Sequence, residues 1–219
     1  MKNYFSSLRA CPLFNGVSDQ DIERMLGCFG AKAVEFDKKY TIFAEGSPAK
    51  KIGILLSGKA QTVQVDYYGN RSILGEIEPG EMFGEAFACA ETPALPVSVI
   101  ADERCAVMLI DSDHLLHTCK NACGFHQQII YNLMKDLATK NIAFHKRMEI
   151  ISKRSTREKL LAYLAMHAKK AGKSTFDIPF DRQELADYLE VDRSGLSSEI
   201  SKLKNEGLID NYKNSFKLL

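Results

Sequence analysis

No apolar run in this sequence approaches the roughly 18 residues that a membrane-spanning helix needs, so no transmembrane segment is expected. Met1 to Asp19 holds no long apolar stretch, so no secretory leader is expected there. Net charge is nearly absent: 29 Lys and Arg stand against 28 Asp and Glu, a formal +1. That excludes a chain that holds nucleic acid by bulk basicity. The six cysteines, at positions 11, 28, 89, 105, 119 and 123, follow no disulfide-framework spacing. Reduced thiols and a cytoplasmic location are the expectation. Catalytic patterns are missing too. There is no Ser-His-Asp motif, no phosphate-cradling glycine motif and no telling carboxylate spacing, so an enzyme is not expected.

What is present is concentrated between Phe180 and Ile209. Asp181 is placed to cap a short helix, with Glu184 three residues on as its reciprocal partner. Leu185, Ala186 and Leu189 form the apolar stripe of that helix, and Glu190-Val191 is the tight turn after it. Asp192 is placed to cap a second helix with Leu196, Ile200 and Leu203 as its buried stripe. Its opposite face carries Arg193, Ser194, Ser197, Ser198 and Ser201, which are short or polar enough to approach a groove closely. Caps, turn, stripe and polar face together read as a helix-turn-helix with the second helix as the DNA reader. An ordinary helical hairpin has no reason to gather serines and an arginine on one face. Leu208 to Leu219 then shows two short apolar runs around Lys213-Asn214, the pattern of a hairpin, and hence of a wing. Lys213 and Lys217 are expected to touch phosphate, and Arg182 at the start of the first helix is a further expected DNA contact. Charge agrees: Lys153 to Leu219 holds 13 Lys and Arg against 10 Asp and Glu, whereas the rest holds 16 against 18.

The preceding part reads differently. Ser18 is placed to cap a lead-in helix. From Ala33 to Ile110 short apolar runs alternate with turn glycines, and Val63 and Val65 alternate with Gln64 and Asp66 before a turn at Tyr67 to Asn70. Many short strands of this kind predict a β-sandwich or roll. A long helix follows, with Ile130, Leu133, Leu137, Phe144, Met148 and Ile151 spaced 3, 4, 7, 4 and 3. That is a heptad seam, interrupted around Lys140-Asn141, and it predicts a homodimer. Ser155, Glu158 and Gly172 then bound another helix from about Thr156 to Ala171.

A roll, a long helix and a winged helix-turn-helix in this order resemble the CRP/FNR family of bacterial transcription regulators. The most specific pieces are Pro79-Gly-Glu-Met-Phe-Gly-Glu85, Val97 to Ala101 leading to Cys105-Ala-Val, and Asp192-Arg193-Ser194. The resemblance implies an α+β fold: a double-stranded, cyclic-nucleotide-binding-like β-roll (jelly roll) at 1–120, a dimerisation helix at 121–151 and a winged helix-turn-helix at 152–219. It implies a homodimer on a two-fold DNA operator, RNA polymerase as partner if the protein activates, and control by a small effector in the roll. The implied effector pocket comprises Gly84, Glu85, Leu95, Pro96 and Ile142. In cyclic-nucleotide members the glutamate holds the ribose, and an Arg-Ser pair follows to hold the phosphate. Here Glu85 matches, but Leu95 and Pro96 stand at the Arg-Ser positions, and Ile142 and Ala143 replace a Thr-Ser pair that meets adenine. A buried phosphate without a cation is strongly disfavoured, so cyclic AMP is not the expected effector. In the reader, the family's Arg, Glu and Arg positions correspond to Arg193, Ser194 and Ser198.

Other cofactors have thin support. An iron–sulfur cluster of the oxygen-sensing branch needs clustered cysteines near the amino terminus, where only Cys11 and Cys28 lie, and no motif supports haem. His117, Cys119, Cys123 and His126 are spaced to share a helix face, which leaves metal or redox sensing as an alternative. Small core cysteines account for the same pattern. The roll also resembles the cupin barrel of metalloenzymes, but all five histidines, at 114, 117, 126, 145 and 167, lie after the strands.

Overall fold

The structure is a computed structural model that describes residues 4–65, 67, 71–116 and 125–219. The chain forms two compact units, Met1–Lys140 and Asn141–Leu219.

The first unit begins with α1 (Phe5–Ala10) and α2 (Asp19–Cys28), the latter capped by Ser18, whose hydroxyl accepts from the Asp21 amide. Eight strands follow among the described residues: β1 (Lys32–Phe36), β2 (Thr41–Phe43), β3 (Lys51–Ser57), β4 (Ala60–Val65), β5 (Arg71–Ile77), β6 (Met82–Phe83), β7 (Ser98–Ala101) and β8 (Cys105–Asp111). They pair antiparallel in two four-stranded sheets, ordered β1-β8-β3-β6 and β2-β7-β4-β5. Most of the turn expected at Tyr67 to Asn70 lies outside the described residues.

Side-chain alternation explains the layering. On β3, Ile52, Ile54 and Leu56 face one core while Leu55 faces another. On β8, Ala106, Met108 and Ile110 face the first, and Cys105 and Val107 the second. The inner core lies between the sheets and includes Phe43, Phe83, Leu95 and Val99. The outer core joins the other face of β3 and β8 to α1, α2 and a long helix, α5 (His126–Ile151). A strand buried on both faces reads as a continuous apolar run, which is what Lys51–Ser57 shows. Gly53 is required by close approach, because a Cβ there would lie 2.2 Å from the Phe83 ring. Two short helices, α3 (Glu85–Cys89) and α4 (Ser112–Leu116), complete the unit.

The expected heptad seam is corrected. Ile130, Leu133 and Leu137 pack into the outer core of their own unit, with Leu133 only 3% exposed. Beyond the unit boundary Ile150 is buried and Phe144 and Met148 are exposed. One exposed stripe of α5 is formed by Tyr131, Met134, Ala138, Asn141, His145 and Met148. Its spacing of 3, 4, 3, 4 and 3 is an unbroken heptad pattern. Ile130, Leu133 and Leu137, the more apolar positions, are taken by the roll.

The second unit contains the end of α5, then α6 (Thr156–Ala171), β9 (Thr175–Asp177), α7 (Arg182–Leu189), α8 (Arg193–Asn205), β10 (Ile209–Tyr212) and β11 (Ser215–Leu218). Ser155 and Glu158 form a capping box on α6, and Asp181 and Glu184 form one on α7. The hairpin β10-β11 turns at Lys213-Asn214, with Lys213 at φ +51. β9 adds a third strand against β11. Ile150, Leu160, Leu164, Leu185, Leu189, Leu196, Ile200, Leu203 and Phe216 close one core. Fully burying each such side chain contributes roughly 1.5–3 kcal/mol.

His167 sits half-buried on this core, its ring 4.5 Å from that of Tyr163 and stacked on Phe176 at 6.3 Å. Burial, then the nearby Lys170 charge, holds its pKa below the ordinary histidine value. The folded unit therefore disfavours the imidazolium. Stability from this site is present above about pH 6.5 and is lost as pH falls below it. Melting followed by tyrosine fluorescence should show a transition that drops between about pH 7.5 and about pH 5, and His167→Gln should flatten that dependence. An unchanged pH slope in the variant would contradict the assignment.

Candidate nucleic-acid interface and the roll interior

The helix-turn-helix is built by local chemistry. Glu190 adopts the left-handed conformation at the end of α7, and the Val191 amide donates to the Ala186 carbonyl at 3.0 Å. Lys159 of α6 donates to the Leu189 and Glu190 carbonyls at 3.0 and 3.3 Å, satisfying the helix end and fixing the turn. Asp192 then starts α8 by accepting from the Gly195 amide at 2.8 Å. Leu196, Ile200 and Leu203 face the core, so the opposite face of α8 is turned to solvent.

That face does not use all of its polar groups alike. Arg193, Ser194, Ser197, Ser198 and Ser201 are all exposed. The Ser194 hydroxyl donates to the Asp192 carboxylate, so it is tied into the helix cap. This pair and the backbone bonds hold Asp192 below the usual carboxylate range. The Ser201 hydroxyl donates to the Ser197 carbonyl at 3.0 Å. Arg193, Ser197 and Ser198 remain as the side chains most able to meet a base edge. The helix amino terminus adds backbone donors and a favourable dipole for phosphate.

The other expected contacts are placed as follows. Arg182 is half-buried, with its guanidinium 5.7 Å from the centroid of Phe216, and burial holds it below the usual arginine range. Lys213 is at the hairpin tip, 5.7 Å from the ring of Tyr212. Tyr212 itself is exposed at the tip, an aromatic that sequence reading passed over. Lys217 sits opposite Asp210 in the hairpin register, and Asp210 forms an ion pair with Lys204 at 2.6 Å. Arg157 of α6 grips Glu199 and Glu206 and thereby braces the carboxyl-terminal half of α8.

The roll positions are less open than the resemblance implies. Gly84 has φ +79, and a Cβ there would lie 2.8 Å from the Phe43 ring. Leu95 is buried among the inner-core side chains, whereas Pro96 is exposed. Ile142 lies in the second unit's part of α5 and is exposed. Glu85 is 4% exposed, and its Oε1 lies 2.7 Å from the Lys140 ammonium. Lys140 also donates to the Met82 carbonyl at 2.9 Å and lies 3.1 Å from Asp136 Oδ2. Burial pulls the Lys140 pKa down, but Glu85 and Asp136 outweigh it and hold it above the usual lysine value. Sequence reading noted Lys140 only as an interruption. The available signal was Asp136 one turn before it on the same helix.

Of the metal candidates, His117, Cys119 and Cys123 lie outside the described residues. His126 is buried with its ring edge toward Phe29 at 6.2 Å. No group of three metal-ligating side chains gathers among the described residues. Cys11 is buried, and the loss of hydration pushes its thiol up to about 12, which leaves it unreactive at neutral pH. No described helix is long and apolar enough to cross a membrane.

Comparison with known proteins adds independent weight. Residues 33–122 match the cyclic nucleotide-binding domain, and residues 158–219 match the Crp-like helix-turn-helix domain. The transcriptional activatory protein AadR of Rhodopseudomonas palustris is 26% identical over 214 residues, covering 92% of this chain and 81% of that protein. Two solved structures share the fold. FixK2 of Bradyrhizobium japonicum has a TM-score of 0.59 at 20% identity, covering 86% of this chain and 92% of its own. The c-di-GMP responsive regulator CLP of Xanthomonas campestris has a TM-score of 0.69 at 18% identity, covering 92% and 99%.

Proposed function

Because the chain belongs to the CRP/FNR family of transcription regulators, we propose that it acts as a homodimer on a two-fold symmetric DNA operator. The observation that carries this reading is α8 itself: a capped helix with a buried apolar stripe and an exposed face of Arg193, Ser197 and Ser198. Arg193 reads guanine through a bidentate pair, while the serines constrain their bases less. Ser194 supports the cap rather than a base. Ser201 sits beside the groove, and Arg182, Lys213 and Lys217 set position on the phosphates. RNA polymerase is the partner in an activating role, the role that the name of AadR gives that relative.

The dimer forms through the exposed stripe of α5, where Tyr131 and Met134 are 55% and 59% exposed. Exposed Tyr131, Met134 and Met148 on this heptad pattern support a partner helix. Asn141 within the stripe supplies a polar position of the kind that sets register. Cyclic AMP is not the effector. Any ligand of the roll must be held without a cation at position 95, where Leu95 is core. The metal- or redox-sensing alternative rests on residues of which only His126 is described, buried against Phe29 with its Nε2 unpartnered among the described residues.

Four outcomes are expected. Selection from a random DNA pool should enrich a palindrome whose half-sites lie about one helical turn apart, with affinity falling steeply as salt rises. Arg193→Ala should lose roughly 1–3 kcal/mol of discrimination at one base pair per half-site; uniform weakening with an unchanged motif would make Arg193 a phosphate contact instead. Met134→Glu should yield folded monomers by sedimentation, whereas Leu133→Ala should leave the dimer face intact and cost about 2–5 kcal/mol of stability. A Met134→Glu protein that stays dimeric would rule out this face. Titration calorimetry with cyclic AMP should give no binding heat, and a micromolar dissociation constant would overturn the reading of Leu95.

A further inference from the structure

We propose that Lys140 is a resident substitute for an effector: its ammonium latches α5 to the roll, so that dimerisation and operator binding need no small ligand. This rests on the regulator reading above and goes beyond it.

The geometry is complete within the first unit. A lysine ammonium has three N–H donors. Three oxygens surround this one: Met82 O at 2.9 Å, Glu85 Oε1 at 2.7 Å and Asp136 Oδ2 at 3.1 Å. The first two belong to the roll, at the start of β6 and the start of α3, and the third to α5. The ammonium donates to the first two and forms an ion pair with the third, while its own side chain stays 42% exposed. Glu85 and Asp136 are both at least nine-tenths buried, so neither carboxylate has water to fall back on if the lysine leaves. A ligand that engaged Glu85 Oε1 would have to displace Lys140. Phe43, Phe83 and Leu95 pack together in the adjoining inner core.

The latch closes at the point on α5 where the first unit ends. Leu133 and Leu137 hold the helix on the outer core by apolar packing, which has no directional demand. Lys140 adds a directional anchor that fixes the rotation of the helix about its axis. The stripe Tyr131, Met134 and Ala138 is then held outward, ready for a second copy. In this arrangement the state able to dimerise is the resting state.

The test uses the full chain. Lys140→Met alone leaves two buried carboxylates unpaired and is expected to destabilise the fold. The decisive variant combines Lys140→Met, Glu85→Gln and Asp136→Asn, which removes the latch without stranding a charge. It should melt near the wild type yet dimerise, and bind the selected duplex, about ten- to a hundredfold more weakly. Wild-type protein unfolded in guanidinium, dialysed and refolded should bind the duplex with undiminished affinity. Wild-type affinity in the neutral triple variant, or stripped protein that binds only after a small-molecule extract is restored, would overturn the proposal. The dimer constant is read by sedimentation without DNA. A latch effect there, with no duplex enriched by the wild type, would sink the DNA-binding reading and leave the latch standing.

Discussion

The pair β3 and β8 is buried on both faces, and the first unit is organised around that constraint. One face must be covered by a second sheet and the other by helices. The second sheet supplies Phe43, Leu95 and Val99 and fills the space between the layers. The helices α1, α2 and α5 supply the other cover, which is why Ile129 and Leu133 of α5 are spent on the roll. A helix that gives one stripe to its own unit can offer only the adjacent stripe to a partner. The dimer face proposed here is that adjacent stripe.

Two kinds of interaction divide the work on α5. Apolar packing supplies most of the free energy of docking and tolerates rotation of the helix. The Lys140 ion group supplies little net stability, because desolvating three charges offsets much of their attraction. Its contribution is specificity of position. The same division appears in the second unit. Leu196, Ile200 and Leu203 seat α8 on the core, while Lys159 at the α7 end and Arg157 at Glu199 and Glu206 fix its orientation.

Features that depend on neighbours a few residues away were legible in the sequence. The capping pairs Ser155 with Glu158 and Asp181 with Glu184 form as their three-residue spacing predicts, and Asp192 caps α8. The roll was legible from alternation and turn residues, although β9 was not. Three residues, Thr175 to Asp177, become a strand only because β11 pairs with them. The expected seam did not foresee that Leu133 and Leu137 pack on their own unit. Hydropathy records that a side chain wants burial, not which surface buries it. The role of Ser194 was hidden for a related reason, since a hydroxyl that looks free on a helical wheel is captured by the carboxylate capping its own helix. The Lys140 group draws on β6, α3 and α5, 58 residues apart at the extreme, and no local pattern announces it.

The most direct test of a latched, ligand-independent dimer is the native mass of the complex formed by freshly purified protein and its selected duplex. The account predicts two chains and one duplex with no additional mass. A complex that carries a further small molecule, or one chain per duplex, would contradict it.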